Sequence, residues 1–244
     1  MNKAPLLILG ASSDFGCELI RQLIPDQPVI LAHHCRSGDK IKALRAGPGR
    51  IIPIAADFSN ESEIAALIEM VKKACGGAPG KIVHLPAPPA TLIRFESLTW
   101  EDFQKNIDIQ LRSIFLILNE FLPMMADGDG GKVVLMLSSV TLNVPPKALA
   151  HYVTAKYALL GLMKAMASEY AGKKISINAV SPSMTHTRFL LGLPQKLVEI
   201  VAEQHPLGRN ARTEDVVPLI RFLLSVEAGY LTGVNIPVAG GLVF

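Results

Sequence analysis

Residues 6–16 of the chain read LLILGASSDFG, and this stretch decides the fold class. Leu6–Leu9 is a short apolar run of the kind that forms a buried strand. A turn of small residues follows, and the segment Phe15–Ile24 then carries apolar residues at helical spacing. A strand, a tight turn and a helix in this order form the unit from which parallel α/β sheets are built.

The rest of the chain repeats this alternation of short β-branched runs and longer segments of helical period. The pattern predicts an α/β fold, a Rossmann-like doubly wound parallel sheet of about seven strands with helices on both faces. The expected strands are Leu6–Leu9, Val29–His33, Ile51–Ala55, Lys81–Leu85, Lys132–Leu137, Ser176–Val180 and Val234–Val238. The expected helices are Phe15–Ile24, Glu61–Lys73, Trp100–Met125 and His151–Ala171.

The sequence shows no linker, charge block or internal repeat that would divide it. Residues 1–244 are therefore predicted to form a single domain. The glycine-rich stretch Gly128–Gly131 is interpreted as a turn before the fifth strand.

The composition argues for an ordinary globular protein. Half of the residues are hydrophobic, 18% are charged and the net charge is only +3, so neither disorder nor a nucleic-acid partner is expected. Cys17, Cys35 and Cys75 have no CxxC spacing, which favours a reducing compartment over a disulfide scaffold. The six histidines lack metal-ligand spacing, so no metal is predicted.

The first apolar run, Pro5–Leu9, is too short for a signal peptide or a membrane span. We therefore expect a cytoplasmic protein with no membrane partner.

The turn Gly10–Gly16 is a candidate phosphate-binding turn. A small-residue turn lets the backbone approach a pyrophosphate, and the helix that follows offers free N–H groups and the positive end of its dipole. Asp14 would repel a phosphate if it pointed inward, so we expect it to cap the helix and face away. The candidate cofactor-binding residues of this turn are Gly10, Ser12, Ser13, Phe15 and Gly16.

The end of the second strand bears on the choice of cofactor. A site that prefers NAD usually has an acidic residue there, which binds the ribose 2′-hydroxyl. Here the first acid is Asp39, while Arg36 and Ser37 could hold a 2′-phosphate. The sequence therefore favours NADP(H) over NAD(H).

Three residues predict the chemistry. Ser139 follows a strand, Tyr152 comes thirteen residues later, and Lys156 lies one helical turn beyond Tyr152. A phenol with a pKa of about 10 is a poor acid–base group at pH 7 unless a neighbouring ammonium lowers that pKa. The spacing places Tyr152 and Lys156 on one helix face, where this pairing is possible.

These motifs resemble the short-chain dehydrogenase/reductase family, in its compact single-domain branch. Gly10–Gly16 is similar to the family's TGxxxGxG turn, and Ser139, Tyr152 and Lys156 to its catalytic serine and YxxxK motif. Residues 177–183 resemble the strand-to-PG segment beside the nicotinamide. Residues 206–209, 230–233 and 240–241 are similar to segments of the family's 3-oxoacyl-reductase-like members.

The resemblance implies a role for each residue. Tyr152 would protonate a carbonyl oxygen as hydride arrives from the nicotinamide, or deprotonate an alcohol in the reverse direction. Lys156 would lower the pKa of Tyr152 and bind the nicotinamide ribose, and Ser139 would orient the substrate oxygen. The resemblance implies further contacts with each part of the cofactor. Asp57 and Phe58 would lie beside the adenine, and Pro86 and Ala87 beside the adenosine ribose. Pro182, Ser183 and Thr187 would lie beside the nicotinamide.

The chain departs from the family at several of these positions. Leu9 and Asp14 replace a threonine and the middle glycine of the turn, and residues 84–87 read HLPA where the family has NNAG. Gln110 stands in place of the helix asparagine that completes the catalytic tetrad, so it is a fourth catalytic candidate.

The sequence leaves three hypotheses for the function. The first is reduction of a small-molecule carbonyl or oxidation of the alcohol, the substrate being a 3-oxoacyl thioester, a sugar or a secondary metabolite. The second is a catalytically weak or inactive nucleotide-binding subunit. A nucleotide-sugar epimerase is disfavoured because only residues 153–244 follow Tyr152.

The surroundings of the site suggest its ligand and its assembly. The leucine-rich segment 184–195 predicts a lid over an apolar or amphipathic substrate. By resemblance we expect a homo-oligomer, a tetramer or dimer formed through the two long helices.

Overall fold

The structure, a computed structural model, describes residues 4–44 and 49–243. Its seven strands, numbered in chain order, are β1 Leu6–Leu9, β2 Val29–His34, β3 Arg50–Ala55, β4 Lys81–His84, β5 Gly131–Met136, β6 Ile175–Pro182 and β7 Asn235–Val238. They form one parallel sheet in the order β3-β2-β1-β4-β5-β6-β7. The predicted seven-stranded parallel sheet is confirmed, with the change of winding direction between β1 and β4.

Helices cover both faces of this sheet, as predicted. Their bounds are α1 Asp14–Leu23, α2 Gly38–Lys42, α3 Glu61–Cys75, α4 Trp100–Ile107, α5 Ser113–Asp127, α6 Ala150–Glu169, α7 Gln195–Gln204 and α8 Thr213–Leu223. Alternate residues of each strand point to opposite faces. Leu7 and Leu9 therefore pack with α3, α5 and α6, while Leu6 and Ile8 pack with α1 and α8.

The expected single helix Trp100–Met125 is interrupted. A π-helical turn, Asp108–Arg112, joins α4 to α5, and the continuous helical segment ends at Asp127. A π turn inserts one residue into the helical repeat, so it rotates the residues that follow relative to those before it. Gln110 lies within this turn and is fully buried.

By length and composition alone, the segment Trp100–Asp127 could cross a membrane. In this fold several of its apolar residues pack in the hydrophobic core. Ile114, Ile117 and Phe121 are completely buried against the other core residues of the α3, α5 and α6 face.

The turn after β1 is held tightly. Gly10 has φ +75°, and a Cβ there would lie 3.2 Å from the backbone nitrogen of Pro86. A Cβ on Gly16 would lie 2.5 Å from the carbonyl oxygen of Ala11. Ser13 caps α1, because its Oγ accepts the N–H of Gly16 at 3.1 Å. The expectation that Asp14 caps this helix is therefore wrong: a hydroxyl one residue earlier already fills that position.

A buried histidine ties this turn to the neighbouring strands. The N–H of Gly10 donates to Nδ1 of His33 at 2.9 Å, and Nε2 of His33 lies 2.9 Å from the carbonyl oxygen of Ala56. These partners require a neutral ring with its proton on Nε2. The ring also stacks on Phe58, with centroids 4.0 Å apart. Burial lowers the pKa of His33 to about 4.

This histidine predicts a dependence of stability on pH. The folded-state pKa of about 4 lies below the unfolded value of 6.5, so the unfolded chain binds more protons between these values. Stability should fall as the pH drops through that window, by about 2.5 kcal/mol between pH 7.5 and 4.5 from this group alone. Urea unfolding at both pH values measures it. His33→Gln should lose correspondingly less stability over the same interval, and equal losses in both proteins would contradict the assignment.

Candidate active site

The predicted site residues gather where the sheet changes its winding direction. Ligands of open α/β sheets bind beyond the carboxyl ends of the strands at such a point. The turn after β1, the serines after β5 and the first turns of α6 all lie at this edge.

Tyr152 and Lys156 lie one turn apart in α6. The Nζ atom of Lys156 is 5.5 Å from the centroid of the Tyr152 ring. Lys156 is only 2% exposed, and its Nζ donates to the carbonyl oxygen of Met136 at 2.8 Å. The carbonyl at the end of β5 therefore anchors the lysine beneath the tyrosine.

Burial acts on the two groups in opposite senses. It raises the pKa of Tyr152 to about 12 and lowers the pKa of Lys156 to about 7. Desolvation disfavours the charged form of each, a phenolate in one case and an ammonium in the other. The charge on Lys156 is therefore finely balanced near neutral pH. Any group that accepts a hydrogen bond from its ammonium helps to keep that charge.

The two adjacent serines after β5 have different surroundings. The Ser138 hydroxyl faces the phenol of Tyr152, where hydrogen bonding lowers the tyrosine pKa against the effect of burial. It also accepts the N–H of Val140 at 3.4 Å, which caps the 3₁₀ turn Ser139–Thr141. Ser139 begins that turn and is half-buried. Sequence reasoning selected only Ser139, although a pair of serines at a strand end signals two candidates.

Part of the predicted lid, the segment 184–195, lies beside the tyrosine. The 3₁₀ segment Arg188–Gly192 brings the Phe189 ring to 5.4 Å from that of Tyr152. The carbonyl oxygen of Phe189 accepts the N–H of Ala90 at 3.1 Å, so the lid is joined to the proline-rich loop after β4.

Gln110 is placed behind the site. Its Nε2 donates to Oδ1 of Asn106 at 2.9 Å, while its Oε1 is buried without a partner among the residues that the structure describes. The longer side chain thus keeps an acceptor free inside the protein.

The candidate phosphate-binding turn Gly10–Gly16 contains one partner of an ion pair, Asp14–Arg188, that sequence reasoning missed. Asp14 accepts the backbone N–H of Arg188 at 2.6 Å and the Nε of its guanidinium at 2.8 Å. The Nη2 of Arg188 also donates to the carbonyl oxygen of Ser12 at 2.6 Å. An acidic residue in a phosphate-binding turn is itself a signal that a cation lies nearby.

The remaining residues of the turn keep donors available. The first-turn N–H groups of Asp14 and Phe15 have no partner among residues 4–44 and 49–243. Ser13 uses its hydroxyl as the cap, and Ser12 is half-buried.

The predicted 2′-phosphate and adenine contacts follow β2 and β3. Arg36 is exposed, and Ser37 precedes α2 without a side-chain capping bond. Hydrogen bonds from Ser59 lower the pKa of Asp57, and the charge of Arg36 acts in the same direction. Phe58 is buried and turns its ring toward His33, so only its backbone faces the strand end.

Near β4 and β6 the predicted contacts line the same edge. Pro86 packs on Gly10, and Ala87 follows it half-buried.

Pro182 ends β6, and the Ser183 hydroxyl is buried without a partner in the described part of the chain. The hydroxyl of Thr187 donates to the carbonyl oxygen of Thr185 at 3.3 Å.

These features fit a dinucleotide. The start of α1 has free N–H groups, and the Ser183 hydroxyl is buried without a partner in the described ranges. A side chain is disfavoured by the positive φ at Gly10 and by the lack of space at Gly16. These are the donors and the close backbone approach that a dinucleotide requires. Across the described ranges, no three His, Cys, Asp or Glu side chains are grouped so that they could hold a metal ion.

Residues 27–243 match the sequence model of the family described as enoyl-(acyl carrier protein) reductase. The matched region contains Ser139, Tyr152 and Lys156. The chain belongs to the short-chain dehydrogenase/reductase family. The resemblance seen in the sequence motifs is thereby confirmed, and the chain is an oxidoreductase of a family that binds a nicotinamide cofactor.

Known members resemble it over nearly their whole length. A 3-oxoacyl-(acyl-carrier-protein) reductase from Thermotoga maritima is 28% identical over 241 residues, covering 97% of this chain and 96% of that protein. A cis-4-hydroxycyclohexanecarboxylate dehydrogenase from Sinomonas cyclohexanicum is 28% identical, covering 96% of this chain and 94% of that protein. The crystal structure of levodione reductase matches with a TM-score of 0.88 at 24% identity, over 98% of this chain and 97% of that one, and shows the fold.

The adjacent serines give a prediction for this family member. Ser139→Ala should lower kcat for a carbonyl substrate about 100-fold, because a donor to the reacting oxygen is lost. Ser138→Ala should lower kcat about tenfold, because the Ser138 hydroxyl then no longer lowers the pKa of the phenol. Steady-state kinetics with each single variant, with NADPH affinity as the control, compares them. Full turnover in Ser139→Ala together with its loss in Ser138→Ala would reverse the two roles.

Proposed function

We propose that this protein is an NADP(H)-dependent oxidoreductase that interconverts a carbonyl and a secondary alcohol by hydride transfer. The observation that carries the proposal is the buried side chain of Lys156, whose Nζ lies 5.5 Å from the centroid of the Tyr152 ring. A charge so placed has a clear use, since it stabilises a phenolate in a site from which water is largely excluded.

The protein's own groups divide the work. Tyr152 donates its phenolic proton to the carbonyl oxygen during reduction and removes the alcohol proton during oxidation. Lys156 lowers the pKa of Tyr152 and, with Tyr152, contacts the nicotinamide ribose. Ser139 holds the reacting oxygen beside the phenol, and Ser138 supports the phenol from the strand end. A bound nicotinamide supplies or accepts the hydride.

The turn after β1 and the neighbouring segment Arg188–Gly192 would hold the pyrophosphate of the cofactor. Asp14 alone would repel a pyrophosphate, but Arg188 places a guanidinium against its carboxylate and against the carbonyl of Ser12. This partly exposed pair offsets the negative charge at the mouth of the turn. The start of α1 therefore remains suited to an anion despite the lost glycine.

The preference for NADP(H) over NAD(H) rests on the end of β2. Arg36 is exposed there, and Ser37 has a hydroxyl that the following helix does not use as a cap. Asp39, the first acid in this segment, is paired with Lys42 at 3.4 Å. A guanidinium and a hydroxyl suit a phosphate better than a ribose hydroxyl.

An apolar or amphipathic carbonyl compound is the proposed substrate. Val144 and Leu191 are 87% and 81% exposed, in the two segments that flank the site. The similar proteins include a reductase of 3-oxoacyl-(acyl-carrier-protein) and a dehydrogenase of cis-4-hydroxycyclohexanecarboxylate, a cyclic alcohol. A 3-oxoacyl thioester, a sugar or a secondary metabolite remain the competing classes.

One observation favours the second candidate, a catalytically weak or inactive nucleotide-binding subunit. The Nε2 of the fully buried Gln110 is bonded to Asn106, so this donor is not available to the tyrosine or the lysine. Cofactor binding without turnover on a broad carbonyl panel distinguishes this candidate.

The protein is proposed to act in the cytoplasm as a homo-oligomer, a dimer or tetramer. An apolar surface on the long helices supports the second point. Phe115 is 50% exposed there, next to Leu111 and Leu162. No nucleic acid or membrane is part of the proposal.

The central test combines binding and turnover. Purified protein should quench or enhance NADPH fluorescence on titration and should oxidise NADPH with members of a carbonyl panel. Tyr152→Phe should bind NADPH with similar affinity and lose at least about 100-fold in kcat, because it lacks the transferable proton. Failure to bind NADPH, or unchanged turnover in Tyr152→Phe, would overturn the proposal.

The cofactor preference has its own variant. Arg36→Ala should weaken NADPH binding about tenfold and leave NADH binding nearly unchanged, since only the 2′-phosphate meets this guanidinium. Arg50→Ala, an exposed arginine on β3, is the matched control for a change of net charge. Equal weakening for both nucleotides would contradict the assignment of Arg36.

A further inference from the structure

His84 is a buried imidazole that the proposed chemistry does not yet use. It ends β4, is 0% exposed, and neither of its ring nitrogens has a partner among residues 4–44 and 49–243. A neutral imidazole offers one donor and one acceptor, and burying both without partners costs free energy. A polar side chain kept in such a place therefore calls for an explanation.

The strand register places His84 next to the lysine anchor. His84 lies opposite Leu135 on β5, and Lys156 donates to the carbonyl of Met136, the next residue along that strand. Ile82, two residues before His84, packs with the α3, α5 and α6 core, so the imidazole points to the same face. Leu159 on α6 belongs to this core too, one turn from Lys156.

A second unpartnered atom lies on this side of the sheet. Oε1 of Gln110 is buried with no partner in the described ranges, and the π turn that carries it packs against α6. An ammonium has three N–H donors, and Lys156 uses one of them on Met136. The lysine thus has donors to spare, while His84 and Gln110 have free acceptors. A buried water that joins such groups is common in proteins.

We propose that His84 is a positioning residue for Lys156: its imidazole accepts a hydrogen bond from one buried water, which it shares with Gln110 and which the ammonium binds, and so it helps to keep the lysine charged. The role rests on the proposed function for its catalytic consequence, but not for the contact itself. Within the described chain, the titratable groups around this pair are His33 from β2 and Tyr152 from α6, while α4 and the π turn contribute the amides of Asn106 and Gln110.

The electrostatics agree with this geometry. Burial lowers the pKa of His84 well below 6.5, and the charges of Lys156 and His33 act in the same direction. The ring is therefore neutral at pH 7 and has a lone pair to offer. Burial also lowers the pKa of Lys156 to about 7, so an acceptor beside it decides whether the ammonium survives above neutral pH.

The kinetic test replaces His84 with leucine, which has no acceptor, and with asparagine, which has one. His84→Leu should shift the alkaline limb of the kcat profile for carbonyl reduction to lower pH by about one unit, so that kcat at pH 8 falls about tenfold. NADPH affinity at pH 6 should stay within about twofold of wild type. His84→Asn should restore the wild-type limb. A pH-independent loss, or identical profiles for both variants, would overturn the role.

A spectroscopic test works without turnover and observes the His84 ring in the presence of the native histidine. The ring-nitrogen signals of the histidines are recorded in ¹⁵N-labelled wild-type protein and in two variants. The signals that disappear in His33→Gln belong to His33, and those that disappear in His84→Asn belong to His84. Lys156→Met should move the His84 signals, because the ammonium that binds the shared water is gone. Lys164→Met, on an exposed part of α6, is the matched control and should leave them in place. Unmoved His84 signals in Lys156→Met would overturn the contact even if the enzyme proves active. Moved signals in an enzyme without turnover would support the contact and reject the proposed function alone.

Discussion

The side chain of Lys156 is almost wholly buried, so the residues around it must supply hydrogen-bond acceptors. Taking an ammonium out of water is costly unless neighbouring groups accept its hydrogen bonds. In this fold the end of β5 supplies one such acceptor, the carbonyl of Met136. The sheet edge, the start of α6 and the π turn all meet at this lysine. In the proposed mechanism, the reactivity of Tyr152 depends on how well these elements hold the lysine.

A second set of contacts shapes the cofactor side of the site. The neutral ring of His33 joins the glycine turn to the end of β3, and the Asp14–Arg188 pair joins the same turn to the lid. The turn is therefore fixed from beneath by a buried hydrogen-bond bridge and from above by a partly exposed ion pair. The second contact, being partly exposed to solvent, contributes less to stability than the buried bridge.

The doubly wound parallel sheet and the placing of Tyr152 and Lys156 on one helix face could be predicted from the sequence. Buried parallel strands are continuous apolar runs, and a four-residue helical spacing is a local property. The partners of these residues were harder to foresee. Arg188 is 174 positions from Asp14. His84 lies near the carbonyl that binds Lys156 only because β4 pairs with β5. The π turn at Asp108–Arg112 also left no periodic signal, so the burial of Gln110 emerged only from the structure.

The claim that Lys156 governs the acidity of Tyr152 is open to a direct measurement. The phenolate of Tyr152 can be titrated by near-ultraviolet absorbance, as the difference between wild-type protein and Tyr152→Phe, with NADP⁺ bound. The account predicts a pKa for Tyr152 well below 10 in this complex, and a value at or above 10 in Lys156→Met. Equal tyrosine pKa values with and without Lys156 would contradict it.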